Sequence, residues 1–436
     1  MNVAKQYSVS TKILLIAASF SVPIAVLVWL MVSSMTSNIS FARLELQGNQ
    51  YQRALEQVLD RLQGYRFATI TCASPASCAE SSAAATTVNE SLESLAAAQR
   101  AHGEGLQFTP EGLAKRKRQH LSAETLTTEW KAYAAAATNE KYAHLTEDVR
   151  GMITHAGDTS NLILDPDLDS YYLMDVTLIA LPQMQDRLER ITSSVYAQLA
   201  AGTPVTLPQQ VQLAVGASML KESDYDRILA SSQTSLNEDQ NFYGVSPTLA
   251  PNLGKSMAAW KGASDRLLSM MAEIQRDSSG VTPAAFLATA TAARRASFDY
   301  WATAVDELDR LFDARLADYQ QARTKALALA ALATLGAVLL SVYFMRSITR
   351  PLDGLIRSLG PGATLLASSV ESIAAATKDG AASPEDASII CEELNAHAHK
   401  MRLAVAELAA HVQGRSASVA PATNTSEAPS ALKRAA

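Results

Sequence analysis

Cysteine is scarce. The 436 residues contain three, Cys72, Cys78 and Cys391. No paired CxxC and no CxxC with a histidine pair occurs, so spacing offers no structural zinc site. Glycine is sparse at 19 residues, and aromatic residues make up 6% of the chain. Such an alanine-rich profile excludes little but favours long helices over a β-sandwich, because Ala, Leu, Gln and Glu lose little side-chain entropy in a helix. There is no excess of positive charge. The net charge of -6 gives no basic surface for nucleic acid. Catalytic signatures are missing too: no GxGxxG after a strand, no P-loop, no nucleophile elbow, no HExxH. The seven histidines (102, 120, 144, 155, 397, 399 and 411) are scattered. The expectation is a protein that is not an enzyme, with no cofactor and no metal ligands.

What the sequence does have is two long uncharged runs, 13–35 and 326–345. Each is long enough to cross a hydrocarbon core of about 30 Å at 1.5 Å per residue. A cleaved signal peptide is the rival reading of the first. It predicts a shorter apolar core and a small-residue cleavage site, whereas this run leads into an amphipathic continuation. Lys5 and Lys12 precede the first run, and Arg346, Arg350 and Arg357 follow the second. By the loop-charge rule both termini are expected in the cytoplasm and 36–325 outside it.

After the first run, Phe41, Leu44, Tyr51, Leu55, Val58, Leu59 and Leu62 recur at three- and four-residue steps, so the helix is expected to continue. Cys72 and Cys78 bracket a Ser/Pro turn; in an oxidising compartment they form a disulfide, of order 2 to 3 kcal/mol in the chain-entropy model, and otherwise two free thiols. A polar helix is expected from Thr86 to His102, and another from Pro110 carrying KRKR at 115–118. That cluster suits either an anionic ligand or a solvated face. In the run DTSNLILDPDLDSYYLMD, Asp165 is the expected N-cap and Pro166 the first turn of a helix. A calcium loop fails on spacing, since positions six and twelve are Ser170 and Val176 rather than Gly and Glu. Tyr171, Tyr172, Met174 and Asp175 are candidates for a ligand pocket between helices, core packing being the other reading. Further helices are expected at 206–235, 247–276 and 282–322, the last running into the second span, with Gly202, Pro204, Gly244, Pro247, Pro251, Gly280 and Pro283 between them.

Four stretches together resemble bacterial methyl-accepting chemotaxis proteins: FARLELQGNQY with Tyr65-Arg66, DTSNLILDPDLDSYYLMD with Pro182 downstream, RSITRPL at 346–352, and DGAASPEDASIICEELNAHAHKMRLAVAELAAHVQG at 379–414. The second and fourth are the most specific. The resemblance implies an all-α protein with two membrane helices continuous with an antiparallel helical bundle, or two stacked bundles, and a short helical cytoplasmic part. It divides the chain into 1–12, a cytoplasmic N-terminus; 13–35, a first span; 36–325, a periplasmic sensor; 326–345, a second span; 346–413, a shortened signalling segment; and 414–436, a disordered tail. It implies a receptor in the bacterial inner membrane, sensing a small solute as a homodimer or as a mixed dimer with other receptors.

The departure from that family is equally plain. Between 352–378 and 383–412 no long heptad run and no Glu-Val-Arg tip occurs, so the surface that binds the chemotaxis kinase and coupling protein is missing. No adaptor of the HAMP type is recognisable, and Gly360, Pro361 and Gly362 are expected to interrupt the helix. Glu392 and Glu393 match part of a methylation pattern, or are a solvated charge pair; His397 and His399 do not share a helical face. The alternatives to a signalling receptor are a non-signalling decoy and a sensor subunit for a separate kinase.

Overall fold

The computed structural model describes residues 8–72, 78–203, 205–379 and 384–413; the tail 414–436, Lys5 and Pro204 lie outside them. Every regular element among the described residues is helical, and no strand occurs. The elements are α1 (Val9–Thr69), α2 (Ala79–His102), α3 (Pro110–Lys115), α4 (Ala123–Ala135), α5 (Asn139–Thr159), α6 (Leu168–Met174), α7 (Leu181–Ala200), α8 (Leu207–Ser218), α9 (Asp226–Glu238), α10 (Leu249–Arg276), α11 (Pro283–Asp379) and α12 (Pro384–Gln413). Two π-helical turns, Asp175–Ala180 and Met219–Tyr225, lead into α7 and α9.

The chain forms two compact units. One is Ser34–Arg323; the other comprises Met1–Ser33 and Thr324–Ala436. The second holds the apolar stretches of α1 and α11, both long and apolar enough to cross a membrane. Their large side chains, among them Leu14, Phe20, Leu27, Leu329, Leu335 and Leu339, are exposed. A water-soluble surface rarely carries so continuous an apolar face. α11 is unbroken for 97 residues and passes through Pro351 and Pro361. The interruption expected at 360–362 does not occur: each proline removes one backbone donor, while the Leu-, Ala- and Ser-rich flanks carry the helix on.

In the 34–323 unit, helix starts are written locally. Thr109 Oγ1 accepts from the Gly112 amide at 3.1 Å, Ser122 Oγ from Thr125 at 3.1 Å, and Thr138 Oγ1 from Lys141 at 3.2 Å. Thr206 and Gln209 form a capping box. Each such cap supplies orphaned first-turn groups with partners. The helix predicted through KRKR stops at Lys115, because Lys117 adopts a positive φ of 56°. Helices α4 and α5, which are not among the helices expected from the sequence, form a hairpin in which Trp130, Tyr133 and Tyr142 pack on Tyr65 of α1. A second aromatic group joins α10, α11 and the π turn before α9: Trp260 stacks on Tyr300 at 5.3 Å and tilts against Tyr225 at 5.2 Å.

Helices α1 and α11 run antiparallel through this unit, joined by polar contacts. Asn49 Nδ2 donates to Asp309 at 2.6 Å and to the Val305 carbonyl at 3.2 Å. Arg53 pairs with Asp306 and Asp309, each at 2.6 Å, and Asp60 pairs with Arg294. Gly48 lets α1 pass close to the end of α5: a Cβ there would lie 2.2 Å from Ser160 Cβ. Asn161 then takes a left-handed φ of 68°. This ends α5 and turns the chain into the aspartate-rich loop.

Candidate functional site

The aspartate-rich loop is built around one cation that the sequence does not place beside it. Arg315, on α11, is 2% exposed. Its Nη1 meets Glu45 Oε2 of α1 at 2.8 Å, and its Nη2 meets Asp165 Oδ1 at 2.6 Å and Ser170 Oγ at 2.5 Å. Its Nε lies 2.6 Å from Asp167 Oδ2. One guanidinium therefore joins both long helices to the segment before α6. The loop also orders itself: Asp165 Oδ1 accepts from the Asp167 amide at 3.0 Å, and Asp169 Oδ1 from the Ser170 amide at 2.7 Å. Helix α6 consequently starts at Leu168 with Asp167 in the capping position and no side-chain cap bond. The expected N-cap role of Asp165 is displaced because its carboxylate is taken by Arg315.

Carboxylates outnumber the cation at this node, and Glu45 Oε1 and Asp165 Oδ2 are buried without hydrogen-bond partners. Burial, reinforced by Asp165, pushes the Glu45 pKa up to about 8 against the pull of Arg315. Burial likewise raises Asp169 to about 6 and Asp165 above its ordinary value. Burial opposes the charge on Arg315, but Asp165, Glu45 and Asp167 outweigh it and hold the guanidinium protonated.

A raised carboxyl pKa means the folded state keeps a proton that the unfolded chain has released. The stability from Glu45 is fully present below about pH 4.5 and is lost as pH rises through about 8. We expect unfolding free energy to fall across that window, by up to about 1.4 kcal/mol per pH unit from this group. Glu45→Gln should flatten the slope, measured by denaturant melts between pH 5 and pH 8.

At another part of the same unit, α1, α5, α7 and the start of α8 enclose an open cleft of about 1130 Å³. Arg66 stands in its wall, bonded to Asn139, 3.4 Å from Glu189 and 5.3 Å from the centre of the Tyr142 ring. Arg150 and Arg190 both pair with Asp186, at 2.9 and 3.2 Å. Burial raises the Glu189 pKa, which Ser193 opposes by donating to it at 2.5 Å. A wall of guanidiniums and carboxylates matches small solutes bearing both charged and hydrogen-bonding groups, the guanidinium being suited to bidentate grip of a carboxylate.

The residues singled out from the sequence do not converge on that cleft. Tyr171 is exposed and meets Tyr172 edge-on at 5.4 Å, while Met174 is buried in the core. Asp175 is tied to Arg227 at 2.5 Å and to Ser231 Oγ at 3.0 Å. Cys72 and Cys78 are joined as a disulfide, with Cα atoms 5.8 Å apart, and Cys72 reaches the cleft wall. Glu392 and Glu393 are exposed on α12. Of the basic cluster, Arg118 pairs with Asp158 at 2.7 Å. It also faces His155, a buried core histidine whose Nε2 lies 3.2 Å from the Leu106 and Gln107 carbonyls.

The residues that sequence reasoning missed are Arg315, Glu45 and Arg66. Arg66 lay within a quoted motif, but only the fold brings α5 and α7 against it. Beside the first π turn, Trp301 Nε1 of α11 donates to the Thr177 carbonyl at 2.7 Å. No protein-family model, curated protein or solved structure matches the chain.

Proposed function

We propose that the chain is a membrane-anchored receptor of the chemotaxis-receptor kind, which senses a small polar solute in the 34–323 unit and passes a helix displacement across the membrane. The observation that carries this reading is the continuity of α1 and α11. Each runs without a break from an apolar stretch into the unit where Arg315 ties the two together. A ligand that favours one arrangement of these helices over another biases the pair by its differential affinity, and displacements of an ångström or two suffice in known switches. In this reading the unit is two sets of antiparallel helices, the solute cleft is the one lined by Arg66, and the location is a bacterial inner membrane with the sensor outside.

Two measurements test it. Reporter fusions near residues 100 and 250 should be active only outside the cytoplasm; activity inside sinks the topology. A thermal-shift screen of amino acids, organic acids and polyamines on the full chain should reveal a stabilising solute, worth about 2.7 kcal/mol at a hundred times its dissociation constant. Arg66→Ala should then weaken that solute about 10- to 100-fold, the equivalent of one or two charge-assisted hydrogen bonds.

A receptor that binds solute without driving a kinase is favoured by one observation: α11 ends at Asp379 and α12 spans only Pro384–Gln413, arms far shorter than those of a chemoreceptor's long hairpin. Recovery of a chemotaxis kinase complex with the chain supports signalling, and its absence supports the decoy.

A further inference from the structure

The α4–α5 hairpin gathers a donor set that the receptor reading does not use. His144 and Asp148 stand one helical turn apart on α5, and Glu129 faces them from α4. His144 Nδ1 is 3.3 Å from Glu129 Oε1 and 3.9 Å from Asp148 Oδ2. One ligand atom from each of the three lies within 4.8 Å of the other two. From the loop before α4, His120 Nε2 approaches Asp148 Oδ1 to 3.9 Å.

The two 3.9 Å contacts to Asp148 are too long for hydrogen bonds, which close at about 2.7–3.2 Å. The 3.3 Å separation equals the edge of a tetrahedron whose arms are about 2.0–2.1 Å, the reach of zinc to nitrogen and carboxylate oxygen, and the 3.9 Å separations would close by about half an ångström around the ion. A second observation is independent of the distances. The Asp148 side chain is 6% exposed, and both its Oδ2 and Glu129 Oε2 are buried without a hydrogen-bond partner. Two carboxylates are thus brought together, each with one buried oxygen that lacks a hydrogen-bond partner, and the His144 imidazole is the donor nearest to both.

We propose that Glu129, His144 and Asp148 bind a divalent transition metal, zinc being the best fit, with His120 beside Asp148 as the nearest further donor. A set of imidazole and carboxylates suits zinc and its neighbours, whereas calcium and magnesium prefer all-oxygen sets. Glu129, His144 and Asp148 come from two helices joined by Ala136, Ala137 and Thr138, so the metal clips the hairpin. Because the hairpin carries Trp130, Tyr133 and Tyr142, it braces the same wall of α1 that supports Arg66.

The test uses the full chain in detergent, without a polyhistidine tag and stripped by chelator. Competition titration should show one tight zinc per chain, and cobalt in its place should give the intense visible absorption of a tetrahedral ion. His144→Ala, at a largely exposed position, leaves the fold intact and should weaken zinc by more than about 100-fold, since even outer-shell changes cost about 10- to 100-fold. A thermal melt without metal, equal for the wild type and the variant, checks that folding is unaffected. The proposal is overturned if no saturable zinc binding appears, if His144→Ala binds equally well, or if calcium competes at equal concentration.

Discussion

Arg315→Ala should lower the stability of the 34–323 unit by about 3–5 kcal/mol, the usual cost of removing one partner from a buried charge network. The reasoning starts from what remains. Glu45, Asp165 and Asp167 stay buried, each having lost its guanidinium contact. Protonation relieves some of the penalty, but the orphaned oxygens stay dry. A shift in melting temperature of roughly 10 °C follows for a unit of this size. Arg315→Lys should recover less than half of the loss, because a lysine ammonium is a point charge that cannot span Glu45 on one side and the loop on the other. Adding Glu45→Gln to Arg315→Ala should restore part of the stability, and that non-additivity, measured in a double-mutant cycle by denaturant melts, reports the coupling directly. If Arg315→Ala melts like the wild type, the node contributes no net stability.

Trp260→Ala should cost a similar amount, about 3–5 kcal/mol, through a cavity rather than a charge. Trp260 is fully buried between Tyr225 and Tyr300 and holds α10 against the π turn and α11. Trp260→Phe separates volume from polarity. The Trp260 Nε1 donor is buried with no hydrogen-bond partner, and an unsatisfied donor costs about 1–3 kcal/mol. Phenylalanine removes that donor while keeping most of the ring, so its loss should stay under about 1.5 kcal/mol. Urea melts followed by near-ultraviolet circular dichroism measure both variants.

The helical class and the two apolar runs were legible because both are local signals. A run of about twenty uncharged residues, or a three- and four-residue recurrence such as Leu55, Val58, Leu59 and Leu62, needs no knowledge of partners. The node was half legible. The run DPDLD stood out, but its meaning depends on Arg315, 150 positions away from Asp165, and no local pattern connects them. Asp165 before Pro166 reads as a helix start on propensity alone; a tertiary ion pair overrode it. Helix α5 carried a local signal that was passed over, since Tyr142, Leu145, Val149, Met152, Ile153 and Ala156 recur at three- and four-residue steps and are buried, while α4 offers only the shorter set Leu126, Trp130 and Tyr133. His144 and Asp148 had the right spacing for one helical face, a signal that is visible in retrospect but unspecific until Glu129 and His120 arrive from elsewhere in the fold. The Tyr171–Asp175 segment was singled out for its density of functional side chains, yet helical geometry sends Tyr171 outward and Met174 inward, so the cluster disperses.

The π turn at Asp175–Ala180 holds one residue more than an α turn would. Its Thr177 carbonyl accepts from Trp301 on α11 instead of from its own backbone alone. Were that surplus residue to be absorbed into regular α geometry, everything beyond it would slip by about 1.5 Å and rotate by roughly 100°. The indole clasp would have to let go at the same step. The helix bearing Asp186, Glu189 and Arg190 thus meets α11 through a hydrogen bond that is either made or broken, a discrete catch in addition to the apolar packing.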